Sequence, residues 1–145
     1  MNRDACTFLP VELLIGVPRI DLQHARLFRK LAMIKEICLR DSVLPGAEAE
    51  ALQRFLSDHY ATEEEVAREI GIDFSAHAEK HRNMLQLIGR ALDEVLAGRA
   101  DVFSTLRYIE YWFERHIAQD DMCLGDRGRQ PVQLIPASLS GQALR

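Results

Sequence analysis

Four stretches of helical periodicity, separated by short breaks, limit the folds open to this chain more than any other feature of its sequence. The first follows Asp21, a residue type that often caps a helix, and is interrupted at Pro45 and Gly46. The second runs from about Ala47 to Ile70, where a glycine follows. In both stretches apolar residues recur at intervals of three and four, which places them on one face of an α-helix.

The third and fourth stretches repeat the pattern. The third extends from about Phe74 to Gly98, and the fourth begins after Asp101, another plausible cap, and ends near Leu124 and Gly125. No strand signal of comparable length competes, and short connections favour antiparallel neighbours. The sequence therefore predicts an all-α fold, an antiparallel up-down-up-down four-helix bundle.

The 145 residues predict a single domain over residues 1–145. Residues 1–19 carry prolines and a glycine without a sustained period, and form an N-terminal arm in this prediction. The bundle occupies about residues 20–124. Residues 125–145 form a C-terminal extension, which we expect to lie as a strap along the bundle.

Composition excludes several classes of function. Acidic residues number 22 against 18 basic ones, and this net charge of −4 gives no electrostatic basis for binding nucleic acid. The sequence shows no signal-peptide pattern and no apolar run long enough to span a membrane, so we expect a cytoplasmic protein. Cys6, Cys38 and Cys123 are widely spaced, as expected of reduced thiols.

Histidines occupy the faces that should be buried, with at least one in each helix. His77 and His81 stand four residues apart, a spacing that brings two imidazoles to one side of a helix. The complete set is His24, His59, His77, His81 and His116, accompanied by Glu63 and by the pair Asp120 and Asp121.

So many polar groups in one core need partners, because each unpaired group would cost about 1–3 kcal/mol. A pair of metal ions would satisfy them together, and imidazole with carboxylate suits iron, zinc or manganese. Spacing alone favours Asp120 over Asp121 beside His116, since four residues turn an ideal helix by about 40° beyond one turn, and five by about 140°.

Four motifs in this order resemble those of the hemerythrin family, nearest the bacteriohemerythrins. They are IDLQHARLF around His24, HYATEEE around His59 and Glu63, HAEKH with His77 and His81, and YWFERHIAQDD around His116. The resemblance covers roughly residues 11–124. It implies two iron ions, Fe2+ or Fe3+, joined by a bridging oxo or hydroxo group.

The resemblance also implies how the metal ligands are divided. One iron would be bound by His77, His81 and His116, the other by His24 and His59, with Glu63 and Asp121 bridging the two. The family motif HIxxxD selects Asp121 rather than Asp120. The iron with two histidines would keep an open position for dioxygen.

A dry pocket around that position is implied as well, because water would promote autoxidation. By resemblance its lining is Leu27, Tyr60, Trp112, Phe113 and Ile117. Tyr60 stands where the family usually has phenylalanine, and Ala67 where it has methionine. Both departures point to faster autoxidation or a wider channel.

The function implied is reversible dioxygen binding for storage, transport or delivery, by a protein that is not an enzyme. Five neutral imidazoles and two carboxylates carry less negative charge than the four carboxylates of many di-iron enzymes, which favours binding over oxidation chemistry. Two alternatives remain open, namely a sensor of oxygen or redox state that signals to a partner, and a di-iron enzyme acting on nitric oxide or peroxide. We expect a monomer whose ligand is dioxygen.

Overall fold

The structure is a computed structural model that describes residues 9–129. Within that range it contains helices and no strand. A short 3-10 helix, Val11–Leu13, precedes α1 (Pro18–Asp41), α2 (Gly46–Ile70), α3 (Ser75–Leu96) and α4 (Val102–His116), and α4 continues through a π-helical turn (Ile117–Asp121) into α5 (Met122–Arg129).

The four long helices pack as a closed ring. α2 packs against α1 and α3, and α4 packs against α1 and α3. Connections of four or five residues link consecutive helices, which therefore run antiparallel. The predicted four-helix bundle is confirmed. None of the helices described has the length and apolar character needed to cross a bilayer.

The start of α1 differs from the prediction. The helix begins at Pro18, whose fixed φ suits a first helical position, and not at an Asp21 cap. Asp21 lies in the first turn instead, and its carboxylate accepts the backbone N–H groups of Ile15 (2.8 Å) and Gly16 (3.0 Å). It therefore ties the arm to the bundle.

Other predicted helix ends are confirmed. Gly71 ends α2 with a φ of 74°, in the left-handed region that favours glycine. Asp101 caps α4, because its side chain accepts the backbone N–H of Ser104 at 2.8 Å.

The last helix continues beyond its predicted end near Leu124, reaching Arg129. Its extension contacts the arm, since Ile15 is fully buried and a Cβ added at Gly125 would overlap the Ile15 carbonyl oxygen. Residues 125–129 of the predicted strap therefore belong to this helix, and its remaining residues, 130–145, lie outside the described residues.

Candidate metal centre

The antiparallel topology gathers the candidate side chains at one end of the bundle. His24 lies near the start of α1 and His77 near the start of α3, whereas His59 lies in the second half of α2 and His116 at the end of α4. Because neighbouring helices run in opposite directions, these four positions fall at the same level. Segments far apart in sequence thus converge on one site.

The structure brings all seven predicted ligands together in two overlapping groups. In each group, one donor atom per residue lies within 4.8 Å of all the others. The two-histidine group contains His24 and His59, and the three-histidine group contains His77, His81 and His116. Glu63 and Asp121 belong to both groups.

Glu63 directs one carboxylate oxygen to each group. Its Oε2 lies 2.9 Å from His59 Nε2 and 3.2 Å from His24 Nε2. Its Oε1 lies 2.9 Å from His81 Nε2, in the other group. A carboxylate in this position can bridge two cations.

Asp121 is divided in the same way. Its Oδ2 lies 3.1 Å from His24 Nε2, and its Oδ1 lies 2.9 Å from His77 Nε2 and 3.2 Å from His116 Nε2. Each of the two carboxylates therefore contacts both histidine groups, one oxygen to each group. All five histidines contact these carboxylates through Nε2.

Hydrogen bonding among the described residues accounts for only one of these contacts, that between His24 Nε2 and Glu63 Oε2 at 3.2 Å. Five buried atoms that face the cluster have no hydrogen-bond partner there: His59 Nε2, His81 Nε2, Glu63 Oε1, and Asp121 Oδ1 and Oδ2. Two of them, His81 Nε2 and Glu63 Oε1, lie 2.9 Å apart without hydrogen-bonding geometry. Unsatisfied buried polar atoms are costly, and cations bound between them would remove the cost. The donor set therefore fits metal ions.

Burial and charge oppose each other at the carboxylates. Burial and the negative charge of Asp121 raise the pKa of Glu63, but His59 and His24 lower it more, so the pKa lies below its usual value. Burial also raises the pKa of Asp121, but the His116, His24 and His77 imidazoles beside its carboxylate outweigh burial and bring the pKa well below its usual value. Both groups are therefore carboxylates, the form that binds metals.

The histidines respond to the same field. Burial lowers the pKa of His24, yet Asp121 and Glu63 outweigh it and raise the pKa to about 9. Burial lowers the pKa of His116 too, but the Asp121 carboxylate outweighs burial, so the pKa of His116 is raised. At His81 burial prevails, and its pKa is lowered. The site thus attracts positive charge, whether protons or cations.

A π-helical turn decides between the adjacent aspartates. Met122 N–H bonds to the Ile117 carbonyl, five residues back, so one turn takes an extra residue. Asp121, five residues after His116, consequently points into the core and is fully buried. Asp120 accepts a hydrogen bond from the other ring nitrogen of His116, Nδ1, at 3.0 Å.

Two outer partners were not predicted. The Gln23 side chain accepts a hydrogen bond from His59 Nδ1 at 2.7 Å, and Lys80 Nζ donates to Asp120 at 2.6 Å. Gln23 lies next to a predicted ligand within the IDLQH motif, which was the available signal. Nothing in the sequence pairs Lys80 with Asp120, because 40 residues separate them.

The predicted oxygen pocket divides into buried and open parts. Leu27, Phe113 and Ile117 are completely buried, and Tyr60 is 2% exposed. The Tyr60 ring stacks on His81 with centroids 3.9 Å apart, and its hydroxyl reaches the sulfur of Met84 at 3.6 Å. Ala67, the other predicted departure, is buried too.

Trp112 is half-buried and lies on the three-histidine side. It lines an open pocket of about 250 Å³ together with Met84, Lys80, His116 and Asp120. This pocket reaches one of the candidate ligands from solvent, and Asp120 forms part of its wall.

A four-helix bundle whose core holds two linked groups of histidines and carboxylates defines a class of cation-binding helical proteins. The family model described as the hemerythrin HHE cation binding domain matches residues 15–125. The chain therefore belongs to the hemerythrin family. No curated protein and no solved structure matches it.

Proposed function

We propose that this protein binds dioxygen reversibly at a pair of iron ions held by the two histidine groups. The observation that carries the proposal is the division of Glu63 and Asp121, each with one oxygen in either group. Iron accepts this mixture of imidazole and carboxylate. The seven ligands would be His24, His59, Glu63, His77, His81, His116 and Asp121. When bound, the irons would supply electrons to dioxygen and recover them on its release.

The unequal number of histidines supports an open position on one iron. The three-histidine group offers three imidazoles and two carboxylate oxygens, and the two-histidine group offers one donor fewer. A small ligand would therefore bind beside His24 and His59. Leu27, which lies on α1 with His24, is completely buried and would help to exclude water.

Binding rather than catalysis is favoured by the charge of the donor set. Only two carboxylates serve two cations, and the five imidazoles bind as neutral ligands. This low anionic charge gives little support to iron above the ferric state. We propose that the protein carries or stores dioxygen and is not an enzyme. We further propose that it is a monomer in the cytoplasm, where its three cysteines would stay reduced.

The test is reconstitution of the chelated protein with Fe2+ without oxygen, followed by metal analysis and absorption spectra. The proposal predicts two irons per chain and a charge-transfer band that appears in air and disappears on deoxygenation. Rapid, permanent conversion to the diferric form would favour the sensor or the enzyme acting on nitric oxide or peroxide. A colourless protein that retains zinc and rejects iron would contradict all three functions.

A further inference from the structure

Outer hydrogen bonds distinguish the two histidine groups. Two of the five imidazoles bond through Nδ1 to a side chain: His59 bonds to Gln23, and His116 bonds to Asp120. The His24 and His81 Nδ1 atoms have no hydrogen-bond partner among the described residues. The two supported histidines lie in different groups, and their supports differ in charge.

Asp120 is held in place for this contact. The π-helical turn leaves it on the same side of the helix as His116, and Oδ2 accepts from His116 Nδ1 at 3.0 Å. Its other oxygen, Oδ1, accepts from Lys80 Nζ on α3 at 2.6 Å. The Asp120 side chain is only 19% exposed, so this bond is partly protected from water. Lys80, on the neighbouring helix, thus limits the movement of the Asp120 carboxylate.

Hydrogen bonding at Nδ1 controls what Nε2 can do. If Nδ1 carries the proton, Nε2 has a free lone pair, which in His116 points towards Asp121 Oδ1. A negative acceptor makes the imidazole a stronger donor to a metal than a neutral acceptor does. Asp120 is such an acceptor, whereas Gln23 offers His59 only an amide oxygen.

We propose that Asp120, restrained by Lys80, is a positioning residue whose charge makes the three-histidine group the tighter of the two cation sites. This inference rests on the proposed binding of a cation pair. It predicts stepwise loading, with the three-histidine group filled first. The two-histidine group, which would take the external ligand, is the weaker site and the first to lose its cation.

The decisive variant is Asp120→Asn, which keeps the shape and an acceptor oxygen but removes the charge, as in Gln23. Chelated protein is titrated with Zn2+ in competition with a chromophoric chelator. We expect the tighter site to weaken by about 10–100-fold, the usual effect of removing an outer partner. Lys80→Met should weaken it by less, because the carboxylate remains. Asp93→Asn, an exposed charge change on α3, should have no effect.

A second readout follows the proton itself. In the zinc-loaded protein, the His116 Nδ1–H should give a downfield proton resonance that exchanges slowly with water, and Asp120→Asn should shift it upfield and speed its exchange. Circular dichroism establishes that each variant is folded. An Asp120→Asn protein with wild-type zinc affinities, or an unchanged resonance, would overturn the inference while leaving the proposed function intact. Wild-type protein that binds no pair of cations would instead overturn the proposed function.

Discussion

At the scale of single residues, neighbouring aspartates have separate roles. Asp121 is fully buried and contacts histidines of both groups, while Asp120 contacts the outer nitrogen of one histidine. Spacing on an ideal helix placed Asp120 beside His116, and it does lie there. The inner position belongs to Asp121 because the helix is locally π-helical.

Replacing Asp121 should therefore do more damage than replacing Asp120. Asp121→Ala removes an oxygen from both groups, so we expect affinity for the cation pair to fall by more than about 100-fold, beyond the range for an outer partner. Metal content after reconstitution measures this. Loss of iron from Asp120→Ala, with full iron in Asp121→Ala, would show that the assignment is reversed.

Tyr60 offers a second test at this scale. Burial and the charges of Glu63 and Asp121 raise its pKa well above the usual value, so the phenol stays neutral beside the site. We expect Tyr60→Phe to slow autoxidation severalfold, because it removes a polar hydroxyl from a pocket that should be dry. The decay of the oxygenated spectrum measures the rate. Tyr108→Phe, at a tyrosine that is 49% exposed, is the control, and equal rates in both variants would exclude a role for the buried phenol.

At the scale of elements, the arm and α5 close the end of the bundle that holds the site. Asp21 ties Ile15 and Gly16 to α1, and Gly125 lets α5 approach Ile15 closely. α5 follows directly after the π-helical turn that positions Asp121. A disturbance of the arm should thus reach the site through this helix.

Gly125→Ala tests the close approach. The added Cβ would overlap the Ile15 carbonyl, and we expect a loss of about 1–3 kcal/mol in the free energy of unfolding, the usual cost of overpacking. Urea denaturation measures it. Gly46→Ala is the control, because nothing lies within 4 Å of a Cβ there, and it should leave stability unchanged or slightly higher. Equal stability of the two variants would mean that the arm moves aside without cost.

At the scale of the whole molecule, the buried histidines and carboxylates of the site make the stability of the fold depend on pH. The pKa of His24 rises from 6.5 to about 9 on folding, and that of His116 rises too. A histidine whose pKa is raised on folding stabilises the fold fully at pH values below its pKa in the unfolded chain. This stabilisation is lost as the pH rises through the pKa in the folded protein. The lowered pKa of His81 acts below pH 6.5 and does not change this interval.

Chelated protein should therefore lose stability between about pH 6.5 and 9. The His24 shift alone corresponds to a loss of about 3 kcal/mol across that interval. Urea denaturation at several pH values measures it. Protein loaded with zinc is the comparison, and should show no such loss because its histidines are already neutral ligands. A chelated protein whose stability rises over this interval would contradict the assigned charges.

A second pH window lies on the acid side. The pKa values of Glu63 and Asp121 lie below their usual values of 4.5 and 3.8, so their contribution is present above these values and lost as pH falls below them. In zinc-loaded protein, protonation of both carboxylates should release the cations in the same range. Zinc released at each pH, measured with a chromophoric chelator, should rise steeply there. Complete release while the pH is still above 4.5 would contradict this assignment, because both groups should still be carboxylates there.

The sequence by itself determined the four-helix bundle and the residues that gather in its core. Periodic apolar stripes, the helix-ending Gly71 and the capping Asp101 act locally, and for that reason the helices and most of their ends followed from the sequence. Histidines on those stripes had to meet in the core. All seven predicted ligands do lie together there, and their binding of iron stays a prediction.

Only the tertiary structure decided which partners these residues meet outside the ligand set. The contacts of Gln23 with His59 and of Lys80 with Asp120, and the close approach of Gly125 to Ile15, each depend on how separate segments pack. The physical reason is that a contact between side chains 36 or 40 residues apart leaves no periodic trace along the chain. Local spacing fixes which face a residue occupies, and packing fixes which partner it meets.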